Sequence, residues 1–296
     1  MKLYMDTMLQ KIAESNKDYL ESLGYQLTLD ETEAQVVVSS DKDIIDNAKQ
    51  AKFIQLQSAG FDFLDVEAIK AKGVLIANAR DVYSDGIAEF VIGRILSVLQ
   101  KHEILRQKQQ NNEWDRQYHF QSLENMNVAI VGSGSIGQQI AGRLKPFGPK
   151  LIGYNRSGQQ AMNFDVCYTL DTLDLTLPKM DIVILAVPLT KDTKHLINKE
   201  RIQLMKEDVI LVNIARGSVI NEPELIESLD NHFQAVILDV FEKEPLDTES
   251  PLWSHPKVYL SSHASFRDNR YKEELKHLIL NNLQRYAEQK YLINPL

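Results

Sequence analysis

A glycine-rich turn near the middle of this 296-residue chain lies between a strand-like and a helix-like segment. Residues 127–131 are mostly apolar and β-branched, which predicts one buried strand. The turn Gly132-Ser133-Gly134-Ser135-Ile136-Gly137 follows at once, and apolar residues then recur at helical spacing as far as Phe147. An ordinary strand–helix turn is the alternative. However, glycines at this spacing allow a tight bend and let the backbone approach a pyrophosphate closely. The positive end of the helix dipole also favours binding of the phosphates. The candidate dinucleotide contacts are Gly132, Gly134, Ser135, Ile136 and Gly137.

The residues after the next predicted strand, 151–154, bear on which dinucleotide is bound. Asn155, Arg156 and Ser157 stand where an Asp or Glu usually accepts hydrogen bonds from the ribose 2′-OH of NAD. The planar guanidinium of Arg156 is suited to a phosphate. We therefore expect these three residues to contact the cofactor and to favour NADP over NAD. The alternative is a surface turn that tolerates either cofactor.

Charge and cysteine content narrow the class of protein. A net charge of −8 and a pI near 5.5 argue against nucleic acid or an anionic membrane as a partner. Cys167, the single cysteine, can form neither an intrachain disulfide nor a metal site by itself. The N-terminus lacks the apolar core of a signal peptide, and no apolar stretch approaches about 18 residues. These features predict a cytoplasmic protein without a membrane span or a metal centre.

Short apolar runs alternate with helical patterns along most of the chain, which predicts parallel sheets. One long helix is expected over residues 86–107, and another over 269–289. The segment 111–125 is polar and irregular, with aromatic residues interspersed. The predicted strands cover residues 36–38, 53–56, 74–77, 127–131, 151–154, 181–186, 209–213, 235–239 and 258–260.

Three polar residues follow successive strands of the predicted dinucleotide-binding domain. Arg216 comes just past strand 209–213, Glu244 past strand 235–239, and His263 past strand 258–260. Ligands of open α/β sheets bind outside the carboxyl ends of the strands, so these side chains are expected to converge. Histidine can transfer a proton, a neighbouring carboxylate favours its charged form, and arginine can bind a carboxylate bidentately. We therefore predict that Arg216, Glu244 and His263 are catalytic.

These residues and several motifs resemble the D-2-hydroxyacid dehydrogenase family over nearly the whole chain. The matching stretches are the glycine motif 132–137, residues 185–190, 195–198, 213–217, 239–241 with 244–246, His263, residues 58–62, Asn78 and residues 88–90. Departures include Ser262 where the family usually has proline before the histidine, and Arg80 near a position where glycine is common. Arg80 is expected to be a solvated loop charge, although it could extend anion recognition.

The resemblance implies a role for each site residue. Arg216 would bind the substrate carboxylate and carbonyl, and His263 would donate or accept the proton. Glu244, immediately before Pro245, would orient His263 and raise its pKa, with Glu242 as the rival acid. His195 is expected to cap or pack a loop rather than to catalyse. Further implied contacts are those of Val187, Pro188, Ile214, Ala215 and Asp239 with the cofactor, and those of Ser58, Ala59, Gly60, Arg216 and His263 with the substrate.

The family architecture implies two Rossmann-like α/β domains with parallel sheets and a cleft between them. Residues 1–93 with 268–296 would form the substrate domain, and residues 94–267 the dinucleotide-binding domain. Dimerisation through the second domain is expected, with segment 111–121 as a plausible arm. The implied activity is NAD(P)H-dependent reduction of a small 2-keto acid such as glyoxylate or hydroxypyruvate. A nucleotide-binding corepressor or sensor, and a phosphoglycerate dehydrogenase without a regulatory domain, are the alternatives.

Overall fold

The computed structural model describes residues 1–296, except for the side chain of Met8. The chain divides into two compact units, one formed by Met1–Tyr83 with Asp268–Leu296 and the other by Ser84–Arg267. Each unit contains one sheet in which every pair of neighbouring strands is parallel. The predicted class, α/β with two Rossmann-like domains, is confirmed.

The sheet of the first unit has five short strands in the order β2-β1-β3-β4-β5. Its central strands are buried on both faces, as expected for a parallel sheet covered by helices. The strands are β1 Lys2–Met5, β2 Gln26–Thr28, β3 Val36–Val38, β4 Phe53–Gln55 and β5 Leu75–Ala77. The helices are α1 Gln10–Ser15, α2 Lys17–Ser22, α3 Lys42–Asn47, α4 Val66–Ala71 and the last helix of the chain, α11 Tyr271–Ala287.

A buried polar contact ties the last helix to the first sheet. The Asn282 amide nitrogen donates to Gln55 Oε1 at 2.6 Å and to the Ile293 carbonyl at 2.9 Å. The Ile293 N–H donates in return to Asn282 Oδ1 at 2.7 Å. Gln55 and Asn282 are both fully buried, and burying such groups without partners is costly. The network therefore holds α11 and the segment after it against β4.

The sheet of the second unit has seven strands in the order β12-β11-β10-β9-β6-β7-β8. The strands are β6 Asn127–Val131, β7 Lys150–Asn155, β8 Val166–Thr169, β9 Ile182–Leu185, β10 Val209–Asn213, β11 Phe233–Leu238 and β12 Val258–Leu260. The helices are α5 Ser84–Leu99, α6 His102–Gln110, α7 Ser135–Leu144, α8 Leu173–Thr176, α9 Lys199–Leu204 and α10 Glu222–His232.

The strand order determines where a ligand can bind in the second unit. The chain proceeds from β6 to β7 and β8 on one side, then from β9 to β12 on the other. The direction of winding therefore reverses between β6 and β9, and ligands of such sheets bind at the carboxyl ends beside this point. The glycine-rich turn follows β6, so it lies at this edge.

The single helix predicted over residues 86–107 is two helices, α5 and α6. Lys101 separates them with a φ of +56°, and a left-handed residue of this kind ends a helix. The first of the two helices packs along α7 of the second unit. The division between units therefore falls between Tyr83 and Ser84, whereas the sequence analysis divided the chain after residue 93.

The segment after α6 has neither helix nor strand between residues 113 and 122, as the sequence analysis expected. It exposes apolar side chains, among them Trp114 at 90% and Phe120 at 50%. Among the described residues, no helix combines the length and apolarity that crossing a membrane requires.

Candidate active site

The glycine-rich turn after β6 leaves no room for side chains at two of its glycines. Gly132 has a φ of +111°, and a Cβ there would lie 2.3 Å from the Ala186 carbonyl oxygen. A Cβ on Gly137 would lie 2.0 Å from the carbonyl oxygen of Gly132. A Cβ on Gly134 would meet no atom within 4 Å, and α7 begins at Ser135 without a side-chain cap. The first amides of α7 are therefore open to a ligand, an arrangement that fits a pyrophosphate.

The turn after β7 is organised by Asn155. Its Nδ2 donates to Ser133 Oγ at 2.8 Å and to the Gln159 carbonyl at 2.9 Å. Its Oδ1 accepts hydrogen bonds from the N–H of Ser157 at 3.1 Å and from the Ser157 hydroxyl at 3.2 Å. Arg156 is exposed and makes no hydrogen bond or ion pair with any residue the structure describes. Of the three residues predicted here, Arg156 is therefore the one whose side chain is available to a ligand.

The remaining candidate cofactor residues follow β9 and β10. Val187, Ile214 and Ala215 are buried, and Pro188 is exposed. The Ile214 N–H donates to the Leu185 carbonyl at 3.3 Å, which links the two strand ends. Because the neighbouring Ala186 carbonyl lies against Gly132, these residues belong to the same edge as the glycine-rich turn.

The turn after β10 presents Arg216. Asn213 shapes this turn, since its Nδ2 donates to the Arg216 carbonyl at 3.0 Å and its Oδ1 accepts the Ala215 N–H at 3.1 Å. A Cβ on Gly217 would lie 1.8 Å from the carbonyl carbon of Phe241. Only glycine allows the segments after β10 and β11 to approach this closely.

Asp239, the residue after β11, is buried and shapes the turn that carries His263. Its Oδ1 accepts the Ala264 N–H at 2.8 Å, the Ser265 N–H at 3.1 Å and the Ser261 hydroxyl at 2.7 Å. Its Oδ2 accepts a second hydrogen bond from the Ser265 N–H at 3.3 Å, and its carbonyl accepts the His263 N–H at 2.8 Å. The carboxylate is thus occupied by this turn, and its predicted contact with a nicotinamide stays a prediction.

His263 and Glu244 form a histidine–carboxylate pair. The Nδ1 atom of His263 lies 2.8 Å from Glu244 Oε2, and Glu244 Oε1 accepts the Phe241 N–H at 3.1 Å. His263 has a φ of +48°, in the left-handed region that non-glycine residues seldom adopt. Its Nε2 has no partner among the residues the structure describes. The carboxylate therefore orients the imidazole and leaves one ring nitrogen for a ligand.

Arg216, Glu244 and His263 line one pocket of about 280 Å³ within the second unit. The pocket holds a permanent cation, a carboxylate and a histidine, which can bind an anion and move a proton. In the part of the chain that the structure describes, no three His, Cys, Asp or Glu side chains are grouped to hold a metal. The other lining residues are Leu189, Gly217, Ser218, Phe241 and Glu242.

A second histidine–carboxylate pair stands beside this pocket. The Nε2 atom of His195 lies 2.7 Å from Glu242 Oε1, and the His195 N–H donates to the Ser218 carbonyl at 2.7 Å. Glu222 Oε2 accepts the Glu242 N–H at 3.1 Å. Burial raises the pKa of Glu222, and the nearby negative charge of Glu242 adds to the rise. His195 and Glu242 are 47 positions apart in the sequence, so no local pattern pairs them.

The predicted substrate loop belongs to the first unit. The Ser58 N–H donates to Ser40 Oγ at 3.0 Å, so this amide is already used within the protein. The N–H groups of Ala59 and Gly60 donate to no described residue. The Ala59 carbonyl accepts the Asn78 amide at 2.7 Å, which fixes the loop. Two of the three predicted backbone donors are therefore open.

Arg80, the charged departure near this loop, is held by the end of the chain. Its Nη2 donates to Asn294 Oδ1 at 3.1 Å, and the Asn294 amide donates to the Arg80 carbonyl at 2.7 Å. The guanidinium remains exposed. The side chain thus anchors the C-terminal segment, a role that no local sequence pattern indicates.

The chain is similar to proteins of one defined family. Residues 92–265 match the model of the D-isomer specific 2-hydroxyacid dehydrogenase NAD binding domain. A glyoxylate reductase of Pyrococcus furiosus is 34% identical over 253 residues, which cover 82% of this chain and 75% of that protein. A D-3-phosphoglycerate dehydrogenase of Methanocaldococcus jannaschii is 34% identical over 229 residues, covering 75% of this chain but only 43% of that longer protein.

Solved structures give the same result for the whole chain. A D-isomer specific 2-hydroxyacid dehydrogenase family protein from Aeromonas salmonicida superposes with a TM-score of 0.85 at 26% identity. The match covers 100% of this chain and 98% of that protein. The similarity therefore extends to both units of the fold.

Proposed function

This chain belongs to the D-isomer specific 2-hydroxyacid dehydrogenase family, NAD(P)-dependent oxidoreductases that act on CH–OH groups, and we propose that it reduces a small 2-keto acid to the D-2-hydroxy acid. The observation that carries the proposal is the His263–Glu244 pair lining one pocket with Arg216. Substrates of the glyoxylate or hydroxypyruvate type are favoured because several relatives are named glyoxylate reductases.

The proposed chemistry assigns one task to each residue of the pocket. The nicotinamide cofactor, when bound, supplies a hydride for C2 of the keto acid. His263 Nε2 holds the proton that the carbonyl oxygen takes up, and in the reverse reaction the same nitrogen accepts it. Glu244 at Nδ1 keeps the imidazole in the required orientation and offsets its positive charge. Arg216 binds the substrate carboxylate through two parallel hydrogen bonds.

Backbone groups complete the proposed binding sites. The open amides of Ala59 and Gly60 would donate to the substrate, while Ser58 would act by shaping the loop. The turn after β6 would hold the pyrophosphate on the amides at the start of α7. The residues proposed to line the rest of the cofactor are Val187, Pro188, Ile214, Ala215 and Asp239.

A panel of 2-keto acids tests this function. We expect oxidation of NADPH or NADH, followed at 340 nm, with glyoxylate, hydroxypyruvate or a related small keto acid, and formation of the D enantiomer wherever the hydroxy-acid product is chiral. Binding of the reduced cofactor, followed by its fluorescence, is the control. Cofactor binding without turnover on any keto acid would instead support a nucleotide sensor.

We further propose that the enzyme prefers NADPH, because Arg156 is exposed at the place of the ribose-binding carboxylate. A charge-assisted hydrogen bond contributes about 1.5–3 kcal/mol, or about ten- to a hundredfold in affinity, and exposure moves the effect to the low end. Arg156→Ala is therefore expected to raise the KM for NADPH about tenfold and to leave that for NADH nearly unchanged. The ratio of kcat/KM for the two cofactors measures this.

The matched control is Arg106→Ala, which removes an exposed arginine from α6. It should leave the cofactor ratio as in the wild type. If kcat/KM of the wild type for NADH equals or exceeds that for NADPH, the turn at Arg156 has no part in cofactor choice.

A homodimer that uses the segment 111–121 is proposed from its exposed apolar surface. Trp114 is 90% exposed and Phe120 is 50% exposed, and Ile104 and Leu105 on α6 are also exposed. Large exposed apolar side chains close together mark interaction surfaces. Light scattering should then give about twice the 33.8 kDa mass of the chain, and Trp114→Ser should weaken the dimer. A monomer at micromolar concentration would contradict this.

We also propose a cytoplasmic location, because the single cysteine, Cys167, is free and buried. Proteins of a reducing compartment rarely contain disulfides. Fractionation of cells with an antibody to the protein would show it with the cytoplasmic markers, and recovery with secreted proteins would contradict the proposal.

A further inference from the structure

Two acidic side chains line the active-site pocket, and the proposed chemistry uses only one of them. Glu244 is hydrogen bonded to His263. Glu242 also lines the pocket, but its carboxylate contacts neither His263 nor the turn that carries it. A charge at the wall of a pocket influences which ligands can enter, so the position of Glu242 bears on substrate choice.

Glu242 is held in place from both ends. Its Oε1 lies 2.7 Å from His195 Nε2, and its N–H donates to Glu222 Oε2 at 3.1 Å. Its side chain is only 28% exposed. Gly217 lies against the backbone of residues 241 and 242, which further restricts the segment. The side chain and the backbone of Glu242 are thus each held by a contact, and its side chain lines the pocket.

The charges of the pocket match a substrate with one anionic group. Among the residues that line it, Arg216 is the permanent cation, and one substrate carboxylate would use it. A second anionic group in the same pocket would meet the carboxylates of Glu242 and Glu244, which both line it. Glu222 contacts the backbone of Glu242 and adds a third acid to this region. His195 lies next to Glu242, and its side chain is 39% exposed.

We propose that Glu242 is a specificity-determining residue that disfavours 2-keto acids with a second anionic group and thereby selects monoanionic substrates. The inference rests on the proposed keto-acid reductase function. It goes further by excluding dicarboxylic and phosphorylated keto acids as good substrates, so it separates the two substrate classes found among the relatives.

Two keto acids of equal carbon number provide the test. 2-Ketovalerate is a monoanion, and 2-ketoglutarate differs by its distal carboxylate. We expect Glu242→Gln to raise the ratio of kcat/KM for 2-ketoglutarate over 2-ketovalerate about tenfold. Removing one negative charge about 6 Å from the distal carboxylate, in a site partly screened by solvent, has an effect of this size. Glu249→Gln removes an exposed charge from the same loop outside the pocket and should leave the ratio unchanged.

Ionic strength gives a second measurement. Salt screens repulsion between charges, so the same ratio should rise with salt in the wild type and less so in Glu242→Gln. An unchanged ratio in Glu242→Gln, or a ratio in the wild type that does not respond to salt, would overturn the inference but not the reductase function. Failure of the wild type to reduce any 2-keto acid would instead refute the reductase function itself.

Discussion

Replacing His263 by alanine is expected to lower kcat for keto-acid reduction by about 10²–10⁴-fold, the usual contribution of a positioned general acid. The structure supports this size of effect because His263 is oriented by Glu244 at 2.8 Å and has its other ring nitrogen open to the pocket. No other histidine lines that pocket among the residues described. Steady-state kinetics at saturating cofactor would measure the loss, and the affinity for the cofactor should change little.

His255→Ala is the matched control for that experiment. His255 also pairs with an acid, since its Nε2 lies 3.1 Å from Asp230 Oδ1, but it does not line the pocket. Its removal should leave kcat within about twofold of the wild type, as for substitutions away from a site. If His263→Ala kept near-native turnover, another group would have to supply the proton.

Replacing Asp239 by alanine is expected to destabilise the second unit by about 2–6 kcal/mol, because the Ala264 and Ser265 N–H groups lose their acceptor, at about 1–3 kcal/mol each. The variant should also lower kcat about 10²-fold, since a shift near 1 Å in a catalytic group has that effect. Asp239 acts here through the turn that carries His263. Urea unfolding and steady-state kinetics measure the two consequences.

Asp239→Asn distinguishes the role of the carboxylate as a hydrogen-bond acceptor for the turn from its other roles. Asparagine keeps one acceptor oxygen, so it should recover part of both the stability and kcat. If Asp239→Ala kept the stability and kcat of the wild type, the turn would be held by other contacts.

Local patterns were sufficient to predict much of the second unit. Strands of five or six residues with continuous apolar character, such as β6 and β10, lie at the predicted positions. The first and third glycines of the turn after β6 are required by contacts with neighbouring backbone, as their spacing indicated. These features were predictable because strand burial and turn geometry impose constraints on consecutive residues.

The first unit was harder to predict. Its strands have three or four residues, and β1 and β2 were not identified, because so few residues show no distinct periodicity. The break between α5 and α6 was also missed. Lys101 adopts a left-handed conformation that glycine or asparagine would have signalled, whereas lysine gives no such indication.

The sequence by itself determined the α/β class, the dinucleotide-binding turn, the family and the candidates Arg216, Glu244 and His263, because each depends on neighbours in the chain or on strand ends that a parallel sheet must bring to one edge. Only the tertiary structure decided which polar groups, distant in sequence, pair within each unit. Asp239 holds the His263 turn, Ser40 occupies the Ser58 amide, and Glu242 meets His195. Hydrogen bonds between such distant residues depend on distances of about 3 Å and on direction, which no local pattern specifies.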